Sequence, residues 1–599
     1  MTNNTGGFAA TTFDYIVVGG GTAGLTVATR LSEDPNATVG IIEAGKLVTD
    51  SPIIDIPGYI GRTLANPELD WMFSSVPQES LDGRRSYLPR GKVVGGSSVL
   101  NFMTTTRANK DEYNAFETLG NPGWNWPQFL SYLKKSELAL KLDHKFHSDH
   151  GPIQKSYTPF IPALHKPFLD SFNALGVEIN LDPQNGDNAG VFTMTVSVDP
   201  DTMTRSSATT GYYLPNSGRP NLHLLSDAQV TRIITDTRGD TIRATGVEYK
   251  QGGELFTAQC TREVIVAAGS YQTPQLLELS GIGNPKVLNK FGIPVVVDLP
   301  GVGENLRTCP SNLTEDHPCV PIIREVNSDT QTRDILQDPA VSAEQLRLYE
   351  QEKKGMFSST HMGIAMVPLP SMVPKTEILA LQTKVRHQSA GAPAKPLELQ
   401  HDWLENPSLP QVEYIHATCW FPIGEPGVLQ SKPACRYDSL LAILLRPFSR
   451  GSVHITSSDQ TQPPAIDHNY LSNPADLDIL FHAVKFAQKA MTTSPLGQYH
   501  LAFEHPNPAC TDEEIHEWVR KYGFYLVISA WHPTGTASML PRDEGGVADS
   551  NLLVYGTNNL RIVDASIQPF PMSCHSQTTV YAMAEKAADL IKLAYQCSS

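Results

Sequence analysis

The chain has 599 residues, with 46 Lys plus Arg against 62 Asp plus Glu, a formal charge of −16. That length exceeds what one hydrophobic core serves, so two or more lobes are expected, and the acidity argues against nucleic acid or an anionic membrane surface as a partner. Abundant Gly (44) and Pro (45) with only 18% charged residues exclude a coiled coil or a disordered chain and suit a loop-rich enzyme.

The opening MTNNTGGFAATTFDY has neither the basic start nor the apolar run of a signal peptide, and no stretch of about 18 apolar residues follows anywhere. The expectation is a soluble chain, either cytoplasmic or secreted and given in mature form. Eight cysteines without a CxxC pair fit neither a disulfide scaffold nor a zinc framework, and they leave the redox compartment open. Asn-x-Ser/Thr triplets at Asn3, Asn36 and Asn312 matter only if the protein is secreted.

In chain order, the first strong signal is Phe13 to Val18 (FDYIVV), a bulky β-branched run that stops at glycine and reads as a buried parallel strand. GGGTAG follows at once, then a helical stretch from Thr22 to Leu31 and a second strand, Val39 to Ile42, closing on Glu43. Gly19, Gly21 and Gly24 fit G-x-G-x-x-G in a β-α-β unit. The first serves a tight turn, the second close approach to a pyrophosphate at the helix terminus, the third close packing of helix on strand. Glu43 stands where a carboxylate can accept from the adenosine ribose hydroxyls. Leu222 to Thr235 and Glu263 to Ala268 read as further strands of the same lobe. Residues 144–150 carry His144, His147 and His150 in a stretch that reads as an exposed linker, and no metal site is expected there. Residues 316–445 are Pro-rich and lack a dinucleotide signal, as for a separate substrate lobe. A helix from Gln577 to Ala594 closes the chain, with Val580, Met583, Ala584, Ala587, Ile591 and Ala594 at helical spacing.

GKVVGGSSVLN (Gly91 to Asn101), leading to Met103 and Arg107, and GSYQTPQLLELSGIG (Gly269 to Gly283) resemble the first and second signatures of the glucose-methanol-choline (GMC) oxidoreductase family, aryl-alcohol oxidase and glucose oxidase-like members in particular. WHPTGTASM (Trp531 to Met539) and NLRIVDASIQPFPMSCHSQ (Asn559 to Gln577) resemble its C-terminal catalytic segment, with lesser agreement in DWMFSSVPQ and RPFSRGSV. Thr105 and Ala108 replace an aromatic residue and a glycine, and Leu100 stands where some members carry a histidine joined covalently to the flavin.

The resemblance implies an α/β fold (α+β overall): a Rossmann-like FAD-binding lobe with a second, substrate-binding lobe on an antiparallel sheet. Its bounds are 13–315 for the FAD-binding region with part of the substrate lobe inserted, 316–530 for mainly substrate lobe, and 531–599 for the return to the FAD lobe. It implies FAD, noncovalent because of Leu100, held by Gly19, Gly21, Thr22, Ala23, Gly24, Glu43, Val94, Ser98, Asn101, Val230, Asp564, Ala565 and Gln577. His532 and His575 would be the catalytic pair, with His532 taking the hydroxyl proton and His575 supporting the alcohol oxygen near a helix terminus. Trp531 would wall the substrate pocket. The implied reaction oxidises an alcohol, a primary one with aryl substrates included, to a carbonyl, with oxygen or a quinone as acceptor. The alternative is a lyase or cyclase of the same fold in which flavin is structural.

Overall fold

The computed structural model describes residues 5–140, 142–238, 241–309, 319–361, 363–388, 393–421, 431–525 and 532–596. Two sheets organise it. The first is centred on strand Thr12–Val18, flanked by Val39–Ile42 and by the end of the 13-residue strand Glu254–Val266, both parallel to it. Leu222–Leu225 extends the sheet beyond Val39–Ile42, and Leu560–Ile562 pairs with Val264 to Val266, again in parallel. All four residues of Val39–Ile42 are buried, as a parallel strand covered on both faces requires. Helix Thr22–Leu31 packs against the closing helix Gln577–Gln596, and both contribute to the same core as this sheet.

The run expected as one strand from Leu222 to Thr235 is two. Asp227 adopts a left-handed backbone (φ 55°), so the chain turns between Leu222–Leu225 and Ala228–Asp236. The second strand joins Arg243–Gln251 and the first half of Glu254–Val266 in an antiparallel extension of the sheet.

The second sheet has six antiparallel strands in the order His500–His505, Cys319–Val326, Arg436–Leu444, Pro410–Ala417, Gly363–Pro368 and Gly190–Thr193. The Rossmann-like lobe and antiparallel second lobe expected from the sequence are therefore both present. One strand of the second sheet comes from 190–193, before the segment expected to carry most of that lobe. Strand Pro410–Ala417 is buried throughout, and alternation sorts its side chains. Val412 and Tyr414 join a core shared with helix Pro474–Thr492, while Ile415 joins the opposite face with Ile364, Met366 and Phe102. Glu413 shares the face of Ile415, on the side away from that helix. Among the described residues no helix is long and apolar enough to cross a membrane.

Candidate active site

The turn after the first strand is set by sterics. Gly19 has φ 101°, and a Cβ on Gly24 would lie 1.9 Å from the Gly19 carbonyl oxygen, so the helix can sit this close to the strand only without side chains there. At Gly21 a Cβ would meet nothing nearer than 3.8 Å, the Cα of Gly96. No side chain caps the helix at Gly21, and its first residues, Thr22 and Ala23, line a cleft of about 1590 Å³, counting its open mouth. The bare helix terminus offers backbone N–H groups and a positive dipole end to an anion.

Glu43 also lines this cleft. Its carboxylate accepts from the backbone N–H of Gly20 (2.7 Å) and of Gly45 (2.8 Å), and burial pushes its pKa up to about 7 against those hydrogen bonds. Arg90 lines the cleft as well, and its Nε and Nη2 are buried without a hydrogen-bond partner. Orphaned donors of this kind, beside a bare helix terminus and a carboxylate, fit a group with phosphates and sugar hydroxyls. The residues present thus suit an adenine dinucleotide such as FAD.

His532 and His575 open onto the same cleft, with ring centroids 5.7 Å apart and planes at 69°. His532 begins the short strand His532–Thr534, which pairs with Arg307–Cys309, and Ser270 anchors the next residue by donating to the Pro533 carbonyl. It is half-buried. His575 is buried and more tightly held: its backbone N–H donates to Thr106 Oγ1 (2.7 Å), and its Nε2 lies 3.0 Å from Glu413 Oε1. Burial, reinforced by His532, holds its imidazole well below the usual histidine range, while burial drives the Glu413 carboxyl well above the usual carboxylate range. Glu413 Oε2 is buried with no hydrogen-bond partner, so nothing offsets a charge there. Both directions favour a pair without net charge, in which the Glu413 hydroxyl donates to Nε2 and the imidazole proton sits on Nδ1.

Of the other residues singled out in the sequence, Gly19, Gly21, Thr22, Ala23, Glu43, Ser98, Asn101, Val230, Asp564, Ala565 and Gln577 line the cleft. Gly24 and Val94 do not. Gly24 backs onto the strand, and Val94 is core whose carbonyl accepts from Thr209 Oγ1. Asp564 is committed within the protein, its carboxylate accepting from the Gly269 N–H (3.0 Å), Thr273 Oγ1 (2.6 Å) and the Ser566 N–H (2.8 Å). Asn101 Nδ2 donates to Gln577 Oε1 (3.0 Å), and Gln577 Nε2 donates to the Thr104 carbonyl (2.7 Å), which ties the glycine-rich loop to the closing helix. Trp531, like Asn3 and Asn312, lies outside the described residues. His147, expected in an exposed linker, is buried between Glu137 (2.9 Å) and Asp182 (3.3 Å), whereas the side chain of His150 is 86% exposed. Their side chains do not converge.

Sequence reasoning missed Glu413, Thr106 and Arg90. A signal for Glu413 exists: it is the single acidic residue within PQVEYIHA, a run that otherwise reads as a strand interior.

Family models described as GMC oxidoreductase match residues 13–311 and 447–584. The chain is 34% identical to the dehydrogenase mpl7 of Monascus purpureus, over 98% of this chain and 97% of that one. Among solved structures it superposes on an FAD-dependent oxidoreductase from Chaetomium thermophilum with TM-score 0.87 and 31% identity, covering 98% and 100% of the two chains. A fungal aryl-alcohol oxidase superposes with TM-score 0.83 and 29% identity, covering 98% and 99%. With a nucleotide cleft, a histidine pair and these likenesses across nearly its whole length, the chain belongs to the GMC oxidoreductase family and is an FAD-dependent oxidoreductase.

Proposed function

We propose that the protein oxidises a primary alcohol, aryl alcohols included, to a carbonyl, with noncovalent FAD and with oxygen or a quinone as the final acceptor. The observation that carries this reading is the His532–His575 pair, 5.7 Å apart in the cleft that the glycine turn lines. The likeness to an aryl-alcohol oxidase supports the aryl leaning. The lyase or cyclase alternative is not favoured, since these relatives are oxidoreductases.

When bound, FAD supplies the acceptor for the hydride leaving the alcohol carbon. Thr22 and Ala23 would hold its phosphates, Glu43 its ribose, and Val230, Ser98, Asn101, Ala565 and Gln577 its remaining surface. Leu100 lines the cleft but has no nucleophile to attach it. The chain itself must deal with the hydroxyl proton. His532 is assigned as the base, because a neutral imidazole at the cleft wall can accept that proton near neutral pH. His575, oriented by Glu413 and Thr106, keeps a ring N–H to stabilise alkoxide character on the oxygen. Trp531 is retained as a wall of the substrate pocket.

An alcohol panel added to the yellow protein without oxygen tests the reading. Bleaching of the visible flavin band by primary alcohols, reversed by oxygen or a quinone, is the expected result. A flavin that stays oxidised with every alcohol while another reaction proceeds would overturn it.

A further inference from the structure

Behind the cleft wall lies a buried cation that the reaction described above does not use. Arg205, 3% exposed, ends the short strand Thr204–Arg205. Its Nη1 donates to the Asn101 carbonyl (2.7 Å), to Asn101 Oδ1 (2.9 Å) and to the Ser98 carbonyl (3.3 Å), and its Nε donates to the Ile54 carbonyl (2.8 Å). All of these acceptors are neutral oxygens. Among the described residues no carboxylate forms a salt bridge with Arg205; Asp55 is close enough only for its field to be felt. Burial lowers the guanidinium to about 10, which leaves it charged at neutral pH.

Ser98 and Asn101 line the cleft, so the positive charge stands one residue behind its wall. A charge in a poorly solvated interior that no salt bridge holds acts strongly on any nearby group that changes charge. Arg205 also clamps both the carbonyl and the side-chain oxygen of Asn101. Asn101 Oδ1 accepts in addition from the Met103 N–H (3.0 Å), and Asn101 Nδ2 holds Gln577, two residues beyond His575.

We propose that Arg205 is a positioning residue with an added electrostatic role. Its Nη1 fixes Asn101 and through it Gln577 at the cleft wall while its Nε braces the Ile54 carbonyl, and its charge, held by no salt bridge, favours the electron-rich, reduced state of the bound flavin. The inference rests on the assignment of the cleft to FAD. Two electrons and one proton enter the flavin with each hydride, and the cation offsets the negative charge that this leaves on the ring.

The test uses the FAD-loaded enzyme with Arg205→Met, which removes the charge, and Arg205→Lys, which keeps it but cannot hold Asn101 and Ile54 at once from two nitrogens in the Arg205 geometry. The oxidised-to-reduced flavin ratio is read against reference dyes, and FAD release is read by dilution. Arg205→Met should shift the ratio toward oxidised flavin by at least about tenfold, the scale of one charge-assisted interaction. Arg205→Lys should hold the ratio within about threefold of wild type while releasing FAD about tenfold faster. A flavin-replete Arg205→Met enzyme with the wild-type ratio overturns the proposal, and so does an Arg205→Lys enzyme shifted as far as the Met variant. Should the Met variant not fold, Arg205→Lys decides: a shifted ratio, or FAD release at the wild-type rate, overturns it. Wild-type protein purified without flavin would instead overturn the cofactor assignment.

Discussion

The two sheets place their functional groups by different rules. In the parallel sheet the constraints are short in sequence: Gly19 takes a left-handed φ of 101°, a side chain on Gly24 would strike the Gly19 carbonyl a few residues before it, and Glu43 follows at the end of the next strand. In the antiparallel sheet Glu413 reaches His575 only because strand Pro410–Ala417 sits between Arg436–Leu444 and Gly363–Pro368 in a particular register. A one-residue slip would turn Glu413 into the core shared with helix Pro474–Thr492 and turn Val412 and Tyr414 out of it. The cofactor side of the site is thus written in short motifs. The side that orients His575 is written in long-range packing.

The largest effect that sharpens this contrast is expected at His532, on the short strand paired with Arg307–Cys309. His532→Ala should retain FAD yet reduce it about 100- to 10,000-fold more slowly, the usual loss for a general base. A flavin-replete variant reduced at the wild-type rate would remove His532 from that role. A larger defect in His575→Ala would exchange the two assignments.

Glu413 tests the other lobe. Glu413→Leu leaves His575 Nε2 without its buried partner and should slow flavin reduction by roughly 10- to 100-fold, the equivalent of one buried hydrogen bond of about 1.5–3 kcal/mol. Glu413→Gln can still donate to Nε2 and should lose less than about tenfold. Equal rates in the Leu variant and the wild type would break the link between the lobes. In the wild type, the depressed His575 pKa means that lowering the pH toward the ordinary histidine range should not protonate His575, so its contribution to the rate should persist there.

Glu43 gives a smaller effect with a definite sign. Its folded-state pKa, about 7, lies above its unfolded value of 4.5. Its protonated form therefore contributes stability that is fully present below pH 4.5 and lost as pH rises to about 7. In the FAD-free protein, thermal melts of wild type and Glu43→Gln should diverge across that window, with the wild type losing relative stability as pH rises. Parallel curves would contradict the burial of this carboxylate. Glu43→Ala should also purify with less than one FAD per chain. Simplest to read is the state of attachment: with Leu100 at the cleft, acid precipitation should release intact FAD, and flavin left in the pellet would show another attachment point.

What can be read in the sequence follows the same division. The β-α-β unit is legible because it is contiguous and its residue types are dictated by near neighbours, and His532, His575 and the Asp564 to Gln577 segment are legible because they stand in motifs that resemble the family's. Leu222 to Thr235 reads as one strand because the turn rests on Asp227 in a left-handed conformation, with no glycine or proline to announce it. Val94 falls among the cofactor contacts by its motif, for its backbone and not for its side chain, and that side chain is in the core. Glu413 and Arg205 escape because their roles arise from partners distant in sequence, His575 and Asn101.

The central claim, that the cleft breaks a carbon–hydrogen bond of an alcohol rather than using flavin as scaffold, is tested most directly by isotope substitution. Without oxygen, the rate at which the bound flavin bleaches is compared for one primary alcohol bearing hydrogen or deuterium on its hydroxyl carbon. Bleaching with both, severalfold slower with deuterium, is the expected result. Alcohol turnover with no bleaching, or complete conversion of the alcohol to a product at the same oxidation level, would contradict the account.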